Sequence, residues 1–458
     1  MSQPIMPTRI LIVGGGGREH ALAWKLSAEP GVNQVAVAPG SVAIGAEPRV
    51  VVLRDVDALV PEAVVGAARA MSAELVVVGP EAPLAAGVAD ALVAASIPVF
   101  GPTAAAARVE TSKAFCHEIA AAAGVPMARS RSFAAGELDA ARAYAAELDA
   151  GGNGLVVKAD GLAAGKGVVL CDDAATADPH IVALLAEARR GAAEPAGTPR
   201  LVLEERLSGR EVSVIAVTDG RLAVALPAAR DHKRLCDDDR GPNTGGMGAY
   251  SPVPDFPDAR AERLLVTIHG PLLAELARRG TPFRGFLYAG LILTDAGPVL
   301  LECNARLGDP EAQVILPRLA GPLGPVLLAA AQGDLGPVIR ALGAGVALPT
   351  LPGAAVGIVL AAEGYPNTPR RGDPITGLDA AVGLGGLVFH AGTRGRPDGG
   401  YGTNGGRVLT VVGRGADLAA AREAAERAAA AIAWDGLQRR RDIGADAPEP
   451  AGTAGVAR

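Results

Sequence analysis

The sequence predicts a multidomain protein of mixed α/β and α+β class: a parallel α/β domain first, then a larger α+β block and a small mixed domain. Three observations predict it. The chain has 458 residues, enough for about three domains at roughly 150 residues each. Up to about residue 108, short apolar runs alternate with helical patterns, as in a parallel sheet covered by helices. Beyond it come strands separated by glycine stretches and polar loops, and then a last block in which β-like runs precede an Ala-rich helix.

Arg9 to Val13 is an apolar run, followed by Gly14, Gly15, Gly16 and Gly17 and then the helical spacing of Ala21, Leu22, Trp24 and Leu26. This predicts strand, loop, helix. Similar runs at Gln34 to Val37, Leu75 to Val78 and Ile97 to Phe100 supply further strands of a domain placed at 1–109. Ligands bind beyond the carboxyl ends of such strands. Those ends are Gly14 to His20, Gly79-Pro80-Glu81 and Gly101-Pro102-Thr103.

A second domain, 110–335, opens with a helix expected at Thr111 to Ala123. Strands are expected at Leu155 to Ala159, Val168 to Cys171, Leu201 to Glu204 and Glu211 to Val217, with a helix near Ile181 to Arg190. Asp231 to Tyr250 reads as a polar loop without periodicity. A helix around Arg260 to Arg278, a strand pair at Gly285 to Thr294 and Val299 to Cys303, and helical turns after Asp309 complete the domain. The third domain, 336–444, has β-like runs at Ala355 to Leu360 and Val408 to Val412 and a helix at Leu418 to Ala433; 445–458 reads as a disordered tail.

A net charge of −6, a pI near 5.7 and 3% aromatic residues argue against nucleic acid as a partner. Small anions must therefore be caught by local sites. Cys116, Cys171, Cys236 and Cys303 form no CxxC pair, which argues against structural zinc or a disulfide framework and fits the reducing cytoplasm. Neither a signal-peptide pattern nor an uncharged apolar stretch of about 18 residues occurs, so no membrane residence is expected.

Of 43 Lys and Arg residues only five are lysine: Lys25, Lys113, Lys158, Lys166 and Lys233. An ammonium on a flexible stem suits a phosphate oxygen as a point charge. Lys158 and Lys166 bracket a glycine-rich stretch with Gly161, Gly165 and Gly167, whereas Lys25 falls on an amphipathic helix. The stretch is not a P-loop, because only three residues separate Gly161 from Gly165 and Gly167 stands where Ser or Thr is required. It reads as a glycine flap between antiparallel strands, closing over phosphates that Lys158 reaches from the side.

Gly14 to His20 is not a dinucleotide fingerprint, since Glu19 and His20 occupy the positions where its last glycine would fall. Backbone N–H groups at the helix start, with Arg18, still suit a phosphate-bearing substrate; a plain tight turn is the alternative. At the end of an apolar strand, alternation puts Glu302, Asn304 and Arg306 on one face. A carboxylate and an amide oxygen are hard ligands for Mg²⁺, and Arg306 would grip a substrate carboxylate; an ion-paired sheet face is the alternative. Asp231-His-Lys-Arg234 and Gly241 to Gly248 suit phosphate handling or a solvated loop. Glu204, Glu205 and Glu211 would ordinarily be exposed charges, and His117, His180 and His269 read as structural residues without partners.

Six segments together resemble one family. They are Gly17 to Trp24, Val78 to Leu84, Lys158 to Gly167, Asp231 to Arg234, Gly241 to Pro252 and Arg306 to Gln313, spread over about residues 9 to 444. The chain thereby resembles the phosphoribosylamine glycine ligases of the ATP-grasp superfamily. The resemblance implies a pre-ATP-grasp N-terminal domain, an ATP-grasp domain whose lid spans about 126–200, and a C-terminal domain. It also implies joining of glycine to 5-phosphoribosylamine, in purine biosynthesis, with cleavage of ATP through a glycyl phosphate.

By the same resemblance Lys113, Lys158, Gly161, Gly165, Lys166 and Gly167 lie at the ATP phosphates, and Glu204, Glu205 and Glu211 hold adenine and ribose. Glu302 and Asn304 would bind Mg²⁺ or Mn²⁺, with Lys158 and Arg306 catalytic. Gly14, Gly15, Gly16, Gly17, Arg18, Glu19, His20, Gly79, Pro80 and Glu81 would take the ribose phosphate side. Asp231 and Asp309, with Arg306, are expected around glycine, and Lys233, Asn243, Thr244, Gly245, Gly246 and Met247 in the substrate loops. Two departures stand out: Gly15, where the family often has a polar residue, and Arg230, where glutamine is common. A cytoplasmic monomer is expected, acting on small molecules alone.

Overall fold

Ile10, Leu11, Ile12 and Val13 alternate between two hydrophobic cores, and all four are fully buried. A strand buried on both faces suits a parallel sheet sandwiched between helices. In the computed structural model, which describes residues 4–161, 167–186 and 198–445, this strand, Arg9–Gly14, is the centre of such a sheet. Gln34–Pro39 and Leu75–Val78 flank it in parallel, with Val50–Val52 and Val99–Phe100 at the edges. Chain order reverses at the central strand, which opens a crevice between Gly14 and Gly79 at the carboxyl ends. Helix Gly17–Ser27 begins at that crevice.

The second domain is built on two antiparallel sheets. One contains Ala223–Ala225, Arg210–Asp219, Arg284–Thr294 and Gly297–Asn304 in that order. The other contains Ser130–Ala134, Pro199–Glu205, Leu155–Ala159 and Val168–Cys171. Helices Leu138–Asp149 and Ala174–Ala186 close over the second sheet, whose core of Phe133, Leu155, Val157, Ile181, Leu201 and Leu203 is a cluster of its own. A unit with its own core can swing as a rigid body. Lys158 faces Val168 across the expected hairpin, and the Ala159 amide donates to the Gly167 carbonyl at 2.7 Å, so Gly161 and Gly167 frame its tip. Gly165 and Lys166 lie outside the described residues, as does the tail from 446 on.

A third sheet joins domains. Arg230–Asp231 and Gly248–Ser251 pair antiparallel with each other, and Gly248–Ser251 with Ala354–Ala361, which continues into Arg407–Gly415 and Leu387–His390. The stretch expected as an aperiodic loop therefore starts and ends in strands, and it contains a hairpin of Arg234–Cys236 with Arg240–Asn243. Two to four residues are too few for alternation to register, and the partner strand lies about a hundred residues on. Helix Leu418–Ala431, two residues shorter than expected, lies directly on Arg407–Gly415. A Cβ on Gly413 would sit 2.1 Å from the Ala425 amide nitrogen, so glycine permits that approach.

Three further helices differ from expectation. The one expected at Thr111 to Ala123 is two, Ala104–Thr111 and Lys113–Ala122, broken at the extended Ser112, whose hydroxyl accepts the Phe115 amide at 3.1 Å. Serine competes well for such caps. The helix expected near Ile181 to Arg190 begins earlier, as Ala174–Ala186, with 187–190 outside the described residues, and that around Arg260 is Asp258–Leu264 and Gly270–Arg278 joined by a π-helical turn at Leu265–His269. Among the described residues no helix is long and apolar enough to cross a membrane.

Candidate active site

Glu19 explains the glycines of the N-terminal crevice. Its carboxylate accepts the Gly16 amide at 2.7 Å and Arg18 Nε at 2.6 Å, and a Cβ on Gly79 would fall 2.2 Å from Glu19 Oε1. Gly14, at φ +127°, and Pro80 close around the same side chain. Arg18 is buried, with Nη1 donating to the Leu307 carbonyl at 3.0 Å, so it braces the crevice rather than presenting a free charge. Gly15 backs onto Gly40, whose carbonyl oxygen would lie 2.9 Å from a Cβ, and this close approach accounts for glycine where a polar residue is usual. His20 pairs with Glu47 at 3.1 Å and accepts the His390 amide at 2.9 Å, tying the crevice to the C-terminal domain.

Between the two sheets of the second domain, Lys158 projects away from the core that holds Val157. Its ammonium donates to the Leu301 carbonyl at 3.1 Å, on the opposite sheet, and pairs with Glu204 Oε2 at 2.7 Å. Glu204 is 2% exposed, against the expectation of surface charge. Burial raises its proton affinity, but Lys158 and His117 outweigh that and hold it below the ordinary carboxylate range. His117, expected to lack partners, lies 2.7 Å from Glu204 and 2.9 Å from the Ser130 hydroxyl; a histidine one turn into a helix carries no sequence mark of the strand it will meet. His180 is exposed, and His269, likewise expected to lack partners, is buried with its ring nitrogens 3.4 Å from the Leu264 carbonyl and 3.3 Å from that of Val214. Lys113 begins its helix, and Asp160 accepts the Ala114 amide at 3.0 Å, which fastens the flap root beside Lys113. Glu205 accepts the Arg129 amide at 2.8 Å, and Glu211 pairs with Lys233 at 2.6 Å.

Glu302 is the focus of the cleft. Burial would favour its neutral form, but Lys233, Lys113, Lys158 and Arg306 together hold its carboxyl at about 2. All four cations thus act on one carboxylate, with Lys233 Nζ 4.0 Å from Oε1. Asn304 Nδ2 lies 3.4 Å from the same oxygen. Opposite stands Gly290, where a Cβ would be 3.1 Å from Glu302 Cγ, so the neighbouring strand adds no carboxylate there. No group of three or more His, Cys, Asp or Glu suited to a metal occurs among the described residues. Glu302 and Asn304 fit a hard divalent ion that takes its other ligands from water and phosphate.

Arg306 lies just past the end of Gly297–Asn304, so strand alternation does not govern it. Its guanidinium pairs with Glu81 at 3.2 Å and Glu110 at 2.8 Å, and Glu110 also accepts the Ala305 amide at 2.7 Å. The fork expected for substrate is engaged by two protein carboxylates and bridges the first two domains. Burial, with Glu311, Glu211 and Glu302 nearby, outweighs Lys233 and pushes Asp231 up to about 8. Glu311 itself accepts Tyr288 and Ser213 hydroxyls at 2.9 and 3.1 Å.

The loop after Asn243 is held by its own backbone: Thr244 donates through N and Oγ1 to the Lys233 carbonyl at 2.8 Å, and the Met247 amide to that of His232 at 2.7 Å. Gly246 packs on Pro310, beside Asp309, which accepts Gln313 Nε2 at 2.8 Å. Arg230 is buried against Asp255, at 2.8 and 3.0 Å, and donates to the Glu211 carbonyl. Glu110, His117, Tyr288, Glu311 and Arg407 complete the surroundings of the site; Glu311 falls within the Arg306 to Gln313 segment, and the other four have no sequence signal beyond an ordinary helix or strand position.

Three family models match the chain: phosphoribosylglycinamide synthetase N domain over residues 8–110, its ATP-grasp (A) domain over 111–312, and its C domain over 355–446. A phosphoribosylamine–glycine ligase of Streptomyces coelicolor is 48% identical over 443 residues, covering 96% of this chain and 99% of that protein. One from Allochromatium vinosum is 46% identical, covering 95% and 98%. The crystal structure of the Thermotoga maritima phosphoribosylamine–glycine ligase aligns with a TM-score of 0.75 at 33% identity, over 95% of this chain and 100% of that one.

Proposed function

We infer the chemistry of this site from one premise: the chain belongs to the phosphoribosylglycinamide synthetase family, the phosphoribosylamine–glycine ligases of purine biosynthesis. Its reaction joins glycine to 5-phosphoribosylamine with cleavage of ATP to ADP and phosphate. The observation that carries the assignment of residues is the convergence of Lys113, Lys158, Lys233 and Arg306 on Glu302, at the mouth between two sheets. Lys158, Lys233 and Arg306 are each held by protein carboxylates, Glu204, Glu211, and Glu81 with Glu110, and a polyphosphate would draw on the same cations.

In the first step a glycine carboxylate oxygen attacks the γ-phosphorus, the bond to the β-phosphate oxygen breaks, and glycyl phosphate and ADP form. A carboxylate is already ionised at neutral pH, so this step calls for no base. Lys158 and Lys113 neutralise charge on the transferred group, Lys158 from a position set by Glu204 and the Leu301 carbonyl. Glu302 and Asn304 would hold Mg²⁺ or Mn²⁺, which would supply charge neutralisation to the transferred phosphate. In the second step the amine of phosphoribosylamine attacks the acyl carbon and phosphate leaves.

The crevice at Gly14–Gly17 and Gly79–Glu81 takes the ribose phosphate side, and Arg306 orients Glu81 and Glu110 beside it. The flap sheet, with its separate core, closes over the acyl phosphate and excludes water. Four free cysteines support the cytoplasm as the compartment. The test is ADP release with ATP, glycine and freshly made phosphoribosylamine, each omitted in turn. Full turnover requires all three; turnover indifferent to either omission refutes the reading.

A further inference from the structure

Gly245 is held at both of its backbone polar groups by the C-terminal domain. Its N–H donates to the Tyr365 hydroxyl at 3.0 Å, and its carbonyl accepts Arg407 Nη1. The guanidinium lies against the glycine face, where a Cβ would stand 3.1 Å from Arg407 Cζ. The same Nη1 donates to the Asp309 carbonyl, and Nη2 lies 3.4 Å from Asp309 Oδ2. From Asp309 the contacts run through Gln313 to Gly17, where a Cβ would meet Gln313 Nε2 at 2.8 Å. Two side chains of the last domain therefore fix one residue of the substrate loop on both of its sides, and through Asp309 set its distance from the start of the first helix.

We propose that Arg407 and Tyr365 form a latch by which the C-terminal domain positions the loop at Gly245 for the phosphorylated amine substrate. They are positioning residues: they touch the loop and Asp309. The inference rests on the ligase reading for the identity of that substrate. Its physical core, a loop held by Tyr365 and Arg407, stands apart from it. Loss of one clamp frees Gly245 to sample other conformations, so the amine meets its site in register less often, while ATP binding between the two sheets is untouched.

The experiment uses full-length enzyme with Tyr365→Phe, which keeps the ring and removes only the acceptor, and Arg407→Lys as second variant. Hydrogen–deuterium exchange of the peptide spanning 241–248 should accelerate in both, with the melting temperature of Tyr365→Phe unchanged. KM for phosphoribosylamine should rise roughly three- to tenfold, the range one hydrogen bond commands, while KM for ATP stays within about twofold. Unchanged exchange in Tyr365→Phe, or KM values for ATP and phosphoribosylamine that rise in parallel, overturns the latch. A wild-type enzyme that turns over without glycine or the amine refutes the ligase reading instead, and the exchange result then still decides whether the latch exists.

Discussion

Glu302 is the side chain on which the electrostatics of the cleft balance. Removing its charge relieves Lys113, Lys158, Lys233 and Arg306 of one carboxylate, which favours a polyphosphate, but exchanges a charged ligand oxygen for a neutral amide oxygen that holds a divalent ion less firmly. Glu302→Gln should therefore lower kcat by about a hundredfold or more, yet bind ATP in excess chelator at least as well as wild type by calorimetry. Weaker chelator-insensitive binding would count against the assignment. Lys158→Arg probes the other partner. A planar guanidinium cannot meet Glu204, the Leu301 carbonyl and a phosphate oxygen from the ammonium's position, so turnover should fall about a hundredfold with an unchanged circular dichroism spectrum; near-normal rates would remove Lys158 from the mechanism.

Among elements, the hairpin from Arg234 to Asn243 depends on a clip from the chain's last described segment. Arg440 donates to the Arg234 carbonyl at 3.2 Å and to Asp442 at 2.6 and 2.7 Å, while Asp442 accepts the Asp238 amide at 2.9 Å. Burial favours the neutral acid, but these bonds outweigh it and hold the Asp442 carboxyl at about 2. A depressed acid contributes fully above its unfolded value of 3.8, and the contribution is lost as pH falls from there through 2. Asp442→Asn should accordingly flatten the fall of melting temperature between about pH 4 and about pH 2; a slope equal to wild type would assign the acid loss to other groups. At the helix Leu418–Ala431, Gly413→Ala should destabilise by about 3 kcal/mol, read as a lower urea midpoint, because its Cβ meets helix backbone rather than a movable side chain.

The three domains are not independent beads. The sheet from Arg230 to His390 takes two strands from the second domain and three from the third, and both large cores draw residues from all three domains. The flap sheet, with Phe133 to Leu203, has a sizeable core apart from both. Unfolding should therefore be a single transition for the body of the molecule, with amides of the flap sheet exchanging earlier and slowing when a non-hydrolysable ATP analogue and Mg²⁺ are bound. A chain cut after residue 350 should be insoluble, since it bares the edge of Gly248–Ser251; a soluble, folded fragment would show that the shared sheet is dispensable.

Local chemistry made much of this molecule readable before any fold was known. The parallel sheet was legible because strands buried on both faces, such as Ile10 to Val13, are continuous apolar runs, and the flap because glycine and lysine cluster between two such runs. The strands at Arg230–Asp231 and Gly248–Ser251 were not, because two to four residues hold no periodicity and their partner is distant in sequence. Residue type alone nominated Lys158, Glu302 and Asn304 for phosphate and metal. It could not tell that Arg306 would be engaged by Glu81 and Glu110, that Glu204 would be buried under Lys158, or that His117 would meet it. Composition and periodicity act within a dozen residues, so they specify which groups are present and on which element; pairing, burial and charge balance arise between residues tens to hundreds of positions apart, and only the folded chain brings those together.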